Sequence, residues 1–146
     1  MNISGDFESE SDYERCLEFL GDINNIMSCM PLYDISISDK INAKIKIDLS
    51  FLNMDSLKSI TGRLSFNYIK TGNVVSVNGT GRAAGASIKF KIEIIISSGD
   101  KTRIIWNADF DPGIILKLLG SERVYDASRI NIENAIKCIK LKMDNL

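Results

Sequence analysis

The side chains with most chemical capacity in this sequence are a few carboxylates, tyrosines and cysteines, and no histidine accompanies them. Without imidazole, neither a Ser-His-Asp nor a Cys-His unit can form, and the commonest transition-metal ligand is missing. Glu93, Asp109 and Asp111 are the carboxylates nearest the later apolar runs. Alternation with apolar neighbours sends all three to the opposite face, so no buried acid–base pair is visible. The sequence therefore predicts no catalytic residue, no metal site and no cofactor, and the expectation is a protein that is not an enzyme. Four hydroxyls share the apolar faces: Tyr68, Thr102, Tyr125 and Ser128. Most such groups are satisfied by nearby backbone; the alternative is one or two hydrogen bonds that orient a ligand carbonyl or hydroxyl.

Cys16, Cys29 and Cys138 are odd in number, widely spaced and each set among apolar residues. That pattern predicts reduced, buried thiols rather than a disulfide framework. Gly79-x-Gly81-x-x-Ala84 fits a dinucleotide-binding fingerprint in letters only. The fingerprint needs a helix to follow, and Ser87-Ile88-Lys89-Phe90-Lys91-Ile92-Glu93 alternates as a strand. A glycine-rich connection between strands is the better reading.

A chain of 146 residues suits one domain spanning positions 1–146. With 45% hydrophobic and 25% charged residues it is globular in composition, and a net charge of −1 offers no basic field for nucleic acid. The start, Met1-Asn2-Ile3-Ser4-Gly5-Asp6, lacks the basic and apolar regions of a secretory signal. No apolar run is long enough to span a bilayer. Together with the thiols, these features predict a cytoplasmic protein.

The elements that position these residues follow from periodicity. Ser11-Asp12-Tyr13-Glu14 reads as a capping box, with Ser11 as the cap, and Tyr13, Cys16, Leu17 and Leu20 continue at helical spacing to Gly21. A second short helix is predicted over about 22–28, ending before Cys29-Met30-Pro31. The period then falls to two. Ile41, Ala43, Ile45, Ile47, Leu49 and Phe51 alternate with polar residues over 41–51, as do Leu64, Phe66 and Tyr68. Val75 and Val77, then Ile88 to Ile96, then Thr102 to Phe110 repeat the pattern. Thr71-Gly72-Asn73 and Ser98-Gly99-Asp100 supply turns. Asp111-Pro112-Gly113 reads as a turn into the apolar segment 114–119, which is expected to line or gate a cavity mouth, or simply to pack at the helix base. After Gly120, the residues Tyr125, Ser128, Ile132, Ala135, Ile136, Ile139, Met143 and Leu146 form the apolar stripe of a helix over 121–144, about 35 Å long. The fold class is α+β: an antiparallel sheet wet on one face, with helices covering the other.

Four stretches carry a family resemblance: Cys29-Met30-Pro31 after the second helix; Gly62-Arg63-Leu64-Ser65-Phe66; Gly79 to Gly85; and Thr102 to Trp106 with Ala108-Asp109 and the later Leu118-Leu119-Gly120-Ser121. On these the chain resembles the START-like (SRPBCC) superfamily, and within it the carbon monoxide dehydrogenase G-subunit family. The resemblance implies a helix-grip (START/Bet v 1-like) fold: about seven curved antiparallel strands around a long C-terminal helix, with two short helices after the first strand. From the residues alone, the inward face either packs solidly against the helix or encloses a cavity. The resemblance favours a cavity that holds a hydrophobic small molecule, such as an isoprenoid quinone, a lipid or a polycyclic aromatic, as a carrier or sequestering protein. The expected ligand-binding residues are Ile45, Ile47, Phe66, Tyr68, Phe90, Ile92, Trp106, Ala108, Phe110, Leu119, Tyr125, Ser128 and Ile132. Two alternatives come from the same superfamily. One is a polyketide cyclase or dehydratase-like enzyme, for which Tyr68 and Tyr125 are the evident inward donors. The other is an assembly or membrane-recruitment factor for a carbon monoxide dehydrogenase-type molybdenum enzyme, which would add a dehydrogenase or a peripheral membrane contact. Some relatives carry a membrane-associating tail beyond the domain, and the sequence here departs from that pattern at Leu146. A monomer or a homodimer fits equally.

Overall fold

Alternating residues build the strands and helical spacing builds the cover. In the computed structural model, which describes residues 1–54, 57–83, 85–113 and 119–146, β1 (Asn2–Ser9) precedes two short helices, α1 (Tyr13–Gly21) and α2 (Ile23–Met27). Six strands follow: β2 (Leu32–Ile37), β3 (Ile41–Asp48), β4 (Ser59–Thr71), β5 (Val74–Ala83), β6 (Ala86–Ser97) and β7 (Thr102–Asp111). The last element is the long helix α3 (Ser121–Asp144). The strands form one antiparallel sheet in the order β1-β7-β6-β5-β4-β3-β2. Because α3 touches β1 at one edge and β3 next to the other, the sheet curves around the helix. The α+β class and the grip of a curved sheet on a C-terminal helix are both as expected.

Several local expectations need correction. The cap of α1 is Asp12, whose carboxylate accepts from the Arg15 amide at 2.8 Å; the Ser11 hydroxyl instead donates to the Met143 carbonyl near the end of α3. Strand β3 ends at Asp48, and Ser50–Leu52 form a 3-10 turn rather than more strand. The buried stripe of α3 runs through Val124, Ala127, Ala135, Ile139 and Met143, while Tyr125 and Leu146 are exposed. One residue is about 100° on a helix, so reading the stripe from Tyr125 instead of Val124 turns the N-terminal half outward.

The cysteines are not all free thiols. Cys29 and Cys138 form a disulfide with Cα atoms 5.6 Å apart, and only Cys16, fully buried, remains a thiol among the described residues. The turn after α2 lies against the last third of α3, which brings two residues 109 positions apart within bridging reach. Sequence spacing carries no trace of such a pairing. The bridge also removes the cysteine-based reason for a reducing compartment. Among the described residues, no helix is long and apolar enough to cross a membrane.

Burial along the inward face is graded, and the grading locates the site. Ile96 and Ile94 of β6 are buried, whereas Ile92, Phe90 and Ile88 further back along the same strand are only half-buried. In β3, Ile41 and Ala43 are buried and Ile45 and Ile47 are half-buried; in β4, Phe66 is buried and Leu64 and Ile60 are half-buried. At one end of the grip, then, Leu20, Ile96, Ile104 and Met143 complete a solid core with α1. At the other end the inward side chains face open space.

Candidate functional site

That space is an apolar cavity of about 240 Å³ between the sheet and the N-terminal half of α3. Ile45 and Ile47 come from β3, Ile60 and Leu64 from β4, Ile88, Phe90 and Ile92 from β6, and Ala108 and Phe110 from β7. Helix α3 closes it with Val124, Ala127, Ser128, Asn131 and Ile132, and Met30, Pro31 and Leu119 border it. Alternation explains the strand residues, since every second side chain points to the same face. Gly79 in β5 contributes by having no side chain: a Cβ there would stand 2.5 Å from Phe66 Cβ and 2.6 Å from Phe90 Cζ. Its absence lets the two rings meet, with centroids 6.3 Å apart, as a tilted pair at the inner end of the hollow. A separate small cluster of Ala83, Ala86 and Val124, with Ile60, Ile88 and Leu119 packed on it, bounds the outer end.

Polar groups around the cavity are few and mostly occupied. Ser128 Oγ donates to the Val124 carbonyl at 2.7 Å. The Asn131 amide donates to the carbonyls of Ala127, at 2.7 Å, and Asp48, at 3.2 Å. Two charged residues, Arg82 and Asp109, border the cavity and are exposed to solvent. The wall thus offers a guest dispersion and desolvation rather than directed hydrogen bonds. Among the described residues there is no cluster of His, Cys, Asp or Glu that could hold a metal ion.

The structure distributes the thirteen sequence-derived candidates over different places. Ile45, Ile47, Phe90, Ile92, Ala108, Phe110, Leu119, Ser128 and Ile132 line the cavity. Phe66 lies in the solid core beside it. The Tyr68 hydroxyl donates to the Leu20 carbonyl at the end of α1, and burial first, with the Asp22 charge second, holds its phenol far above the ordinary value. It is a strut between sheet and helix. Trp106 and Tyr125 border a different, polar groove on the opposite flank of α3. Sequence reading missed Leu49, Ile60, Leu64, Ile88, Val124, Ala127 and Asn131. Parity with Phe66 and Phe90 was an available signal for three of them, and the correct helical phase would have found three more. Asp111 does make the expected turn, its carboxylate accepting from the Gly113 amide at 2.9 Å, but segment 114–118 lies outside the described residues.

The model of one protein family, the carbon monoxide dehydrogenase G subunit (CoxG), matches residues 5–144. The chain belongs to the CoxG family. Solved structures share the helix-grip fold of this family member. A conserved protein from Geobacillus kaustophilus is similar over 99% of this chain and 96% of its own, at 16% identity and a TM-score of 0.77. The Zhui aromatase/cyclase from Streptomyces sp. R1128 is similar over 99% and 93%, at 10% identity and a TM-score of 0.69. A START superfamily protein from Mycobacterium smegmatis is similar over 99% and 97%, at 12% identity and a TM-score of 0.59. At these identities the likeness is one of fold. A search of curated proteins gives no significant match.

Proposed function

We infer that this CoxG family member carries or sequesters a hydrophobic small molecule, such as an isoprenoid quinone, a lipid or a polycyclic aromatic, in the cavity between sheet and α3. The observation that supports this reading is the hollow itself: about 240 Å³ of space walled by aliphatic and aromatic side chains. An engineered apolar cavity of roughly 150 Å³ stays dry and takes up benzene or xenon, so a larger one favours an apolar guest over water. The polar groups that touch it are committed to backbone or point to solvent, which suits holding a guest better than transforming it.

The test is native mass spectrometry of protein purified without detergent, followed by titration with menaquinone-2 and with palmitate. Saturable uptake near one equivalent is expected for at least one probe. Ala127→Phe, which projects a ring into the hollow, should abolish it while keeping a cooperative melt, and Ala108→Leu serves if the first variant misfolds. No co-purified ligand and no saturable uptake of either probe would refute the reading.

Family membership supports a narrower version, in which the carrier serves a carbon monoxide dehydrogenase-type enzyme. Affinity capture with the full chain should then recover dehydrogenase subunits from native lysate, and recovery of none counts against this version only.

A further inference from the structure

We propose that the groove between β1 and the outer flank of α3 is a second ligand site, separate from the apolar cavity, which takes a small organic carboxylate with an aromatic or short aliphatic body. The groove has a volume of about 470 Å³. Its floor is set by a cross-strand pair, Gly5 of edge strand β1 and Trp106 of β7. A Cβ on Gly5 would stand 2.7 Å from Trp106 Cζ2 and 3.2 Å from Nε1, so the indole occupies the room that a side chain on Gly5 would need. This brings the ring, and its N–H, beneath the edge of the sheet. Trp106 is only 7% exposed as a whole, and its Nε1–H, which meets no acceptor among the described residues, is not closed off from the groove. An indole N–H that opens on the groove with no protein acceptor is free to donate to an acceptor oxygen of a groove occupant.

The wall supplies the rest of the chemistry. Tyr125, Arg129, Glu133 and Lys137 follow at i, i+4, i+8 and i+12, and therefore line one flank of α3 in a row. Three of the charges that line the groove are already matched: Arg129 holds both oxygens of Glu133 at 3.2 Å, and Asp6 is paired with Arg103. Lys137 makes no ion pair among the described residues, and the Tyr125 hydroxyl has no partner there. What remains open is a set of donors, namely indole N–H, phenol and ammonium, with one unmatched positive charge. That set fits a monoanion better than a phosphate dianion, and a carboxylate accepts from several donors at once. Ile3 and Ile136 give the body of the ligand its apolar contact.

This chain has one tryptophan, so a 15N-labelled sample shows a single indole N–H resonance, which reports on the groove floor. The experiment titrates benzoate, with benzyl alcohol and inorganic phosphate in parallel. Benzoate should move the indole proton downfield saturably, and both other probes should bind at least about tenfold more weakly. Lys137→Ala and Tyr125→Phe change exposed side chains and should each weaken benzoate binding, the former about tenfold or more. Ala127→Phe, which fills the apolar cavity, should leave benzoate binding unchanged. An indole resonance indifferent to benzoate overturns the proposal. So does an equal response to benzyl alcohol, or undiminished binding by Lys137→Ala.

Discussion

Cys29 and Cys138 are joined across 109 positions, and the bond ties the turn that carries Met30 and Pro31, at the border of the cavity, to the last third of α3. A link over so long a loop restricts the unfolded chain strongly. Reduction with dithiothreitol, or Cys138→Ser, is expected to cost about 2–4 kcal/mol. For a chain of this size that lowers Tm by about 5–15 °C. Scanning calorimetry with and without reductant checks it. Cys16→Ser should keep the full response to reductant, and a melt indifferent to dithiothreitol in the parent protein would contradict the bridge.

The graded burial of β6 predicts unequal costs for one substitution made twice. Ile96→Ala deletes atoms from the solid core and should cost about 2–5 kcal/mol. Ile92→Ala deletes atoms that already face open space and should cost about 1–2 kcal/mol. Urea unfolding of both variants decides the matter. Equal losses would mean that the hollow end is packed as tightly as the other.

Tyr68 links sheet and helix through a buried phenol whose ionisation is pushed up, chiefly by desolvation and further by Asp22. A group harder to deprotonate when folded gives stability that is fully present below the unfolded phenol pKa of about 10 and is lost as pH rises through and beyond it. Tyr68→Phe should cost about 1 kcal/mol at neutral pH and flatten the alkaline fall in stability. Phenolate absorbance across an alkaline titration, compared between parent and variant, should show one tyrosine that ionises late. Identical titration curves would be incompatible with this role.

Asp144 sits where α3 meets the junction of β1 and α1. Burial works to raise its carboxyl, but hydrogen bonds from Lys140, the Glu10 amide and Ser9 outweigh it and leave the pKa below the ordinary value. The stability it contributes is present above the usual carboxylate range and is lost as pH falls through it. Asp144→Asn should cost about 1 kcal/mol near neutrality, with the gap to the parent closing below about pH 4. A gap that persists at low pH would point to lost packing instead of lost charge.

The face to which each strand side chain belongs was legible because a period of two leaves only two choices. Ile92 and Phe66 were thus both correctly assigned inward, but one borders a void and the other is solid core. Alternation records direction, not what stands opposite. On α3 the error was one of phase: Tyr125 and Val124 are adjacent, and only tertiary packing decides which of them is turned to the sheet. Trp106 was placed on the right face, yet its ring leans over Gly5 towards the edge, a displacement fixed by what the paired glycine lacks. The Cys29–Cys138 bond was illegible because it depends on where two distant elements cross.

The unequal ends of the grip separate two requirements that many small domains must meet with the same residues. Ile96, Ile104 and Met143 finish their packing without help from the hollow. Trimming or enlarging Ile47, Ile60 or Ile88 therefore reshapes the chamber at little expense to folding. Descendants of such a chain are free to change what they accommodate through a few neighbouring positions, while the opposite end keeps the molecule intact.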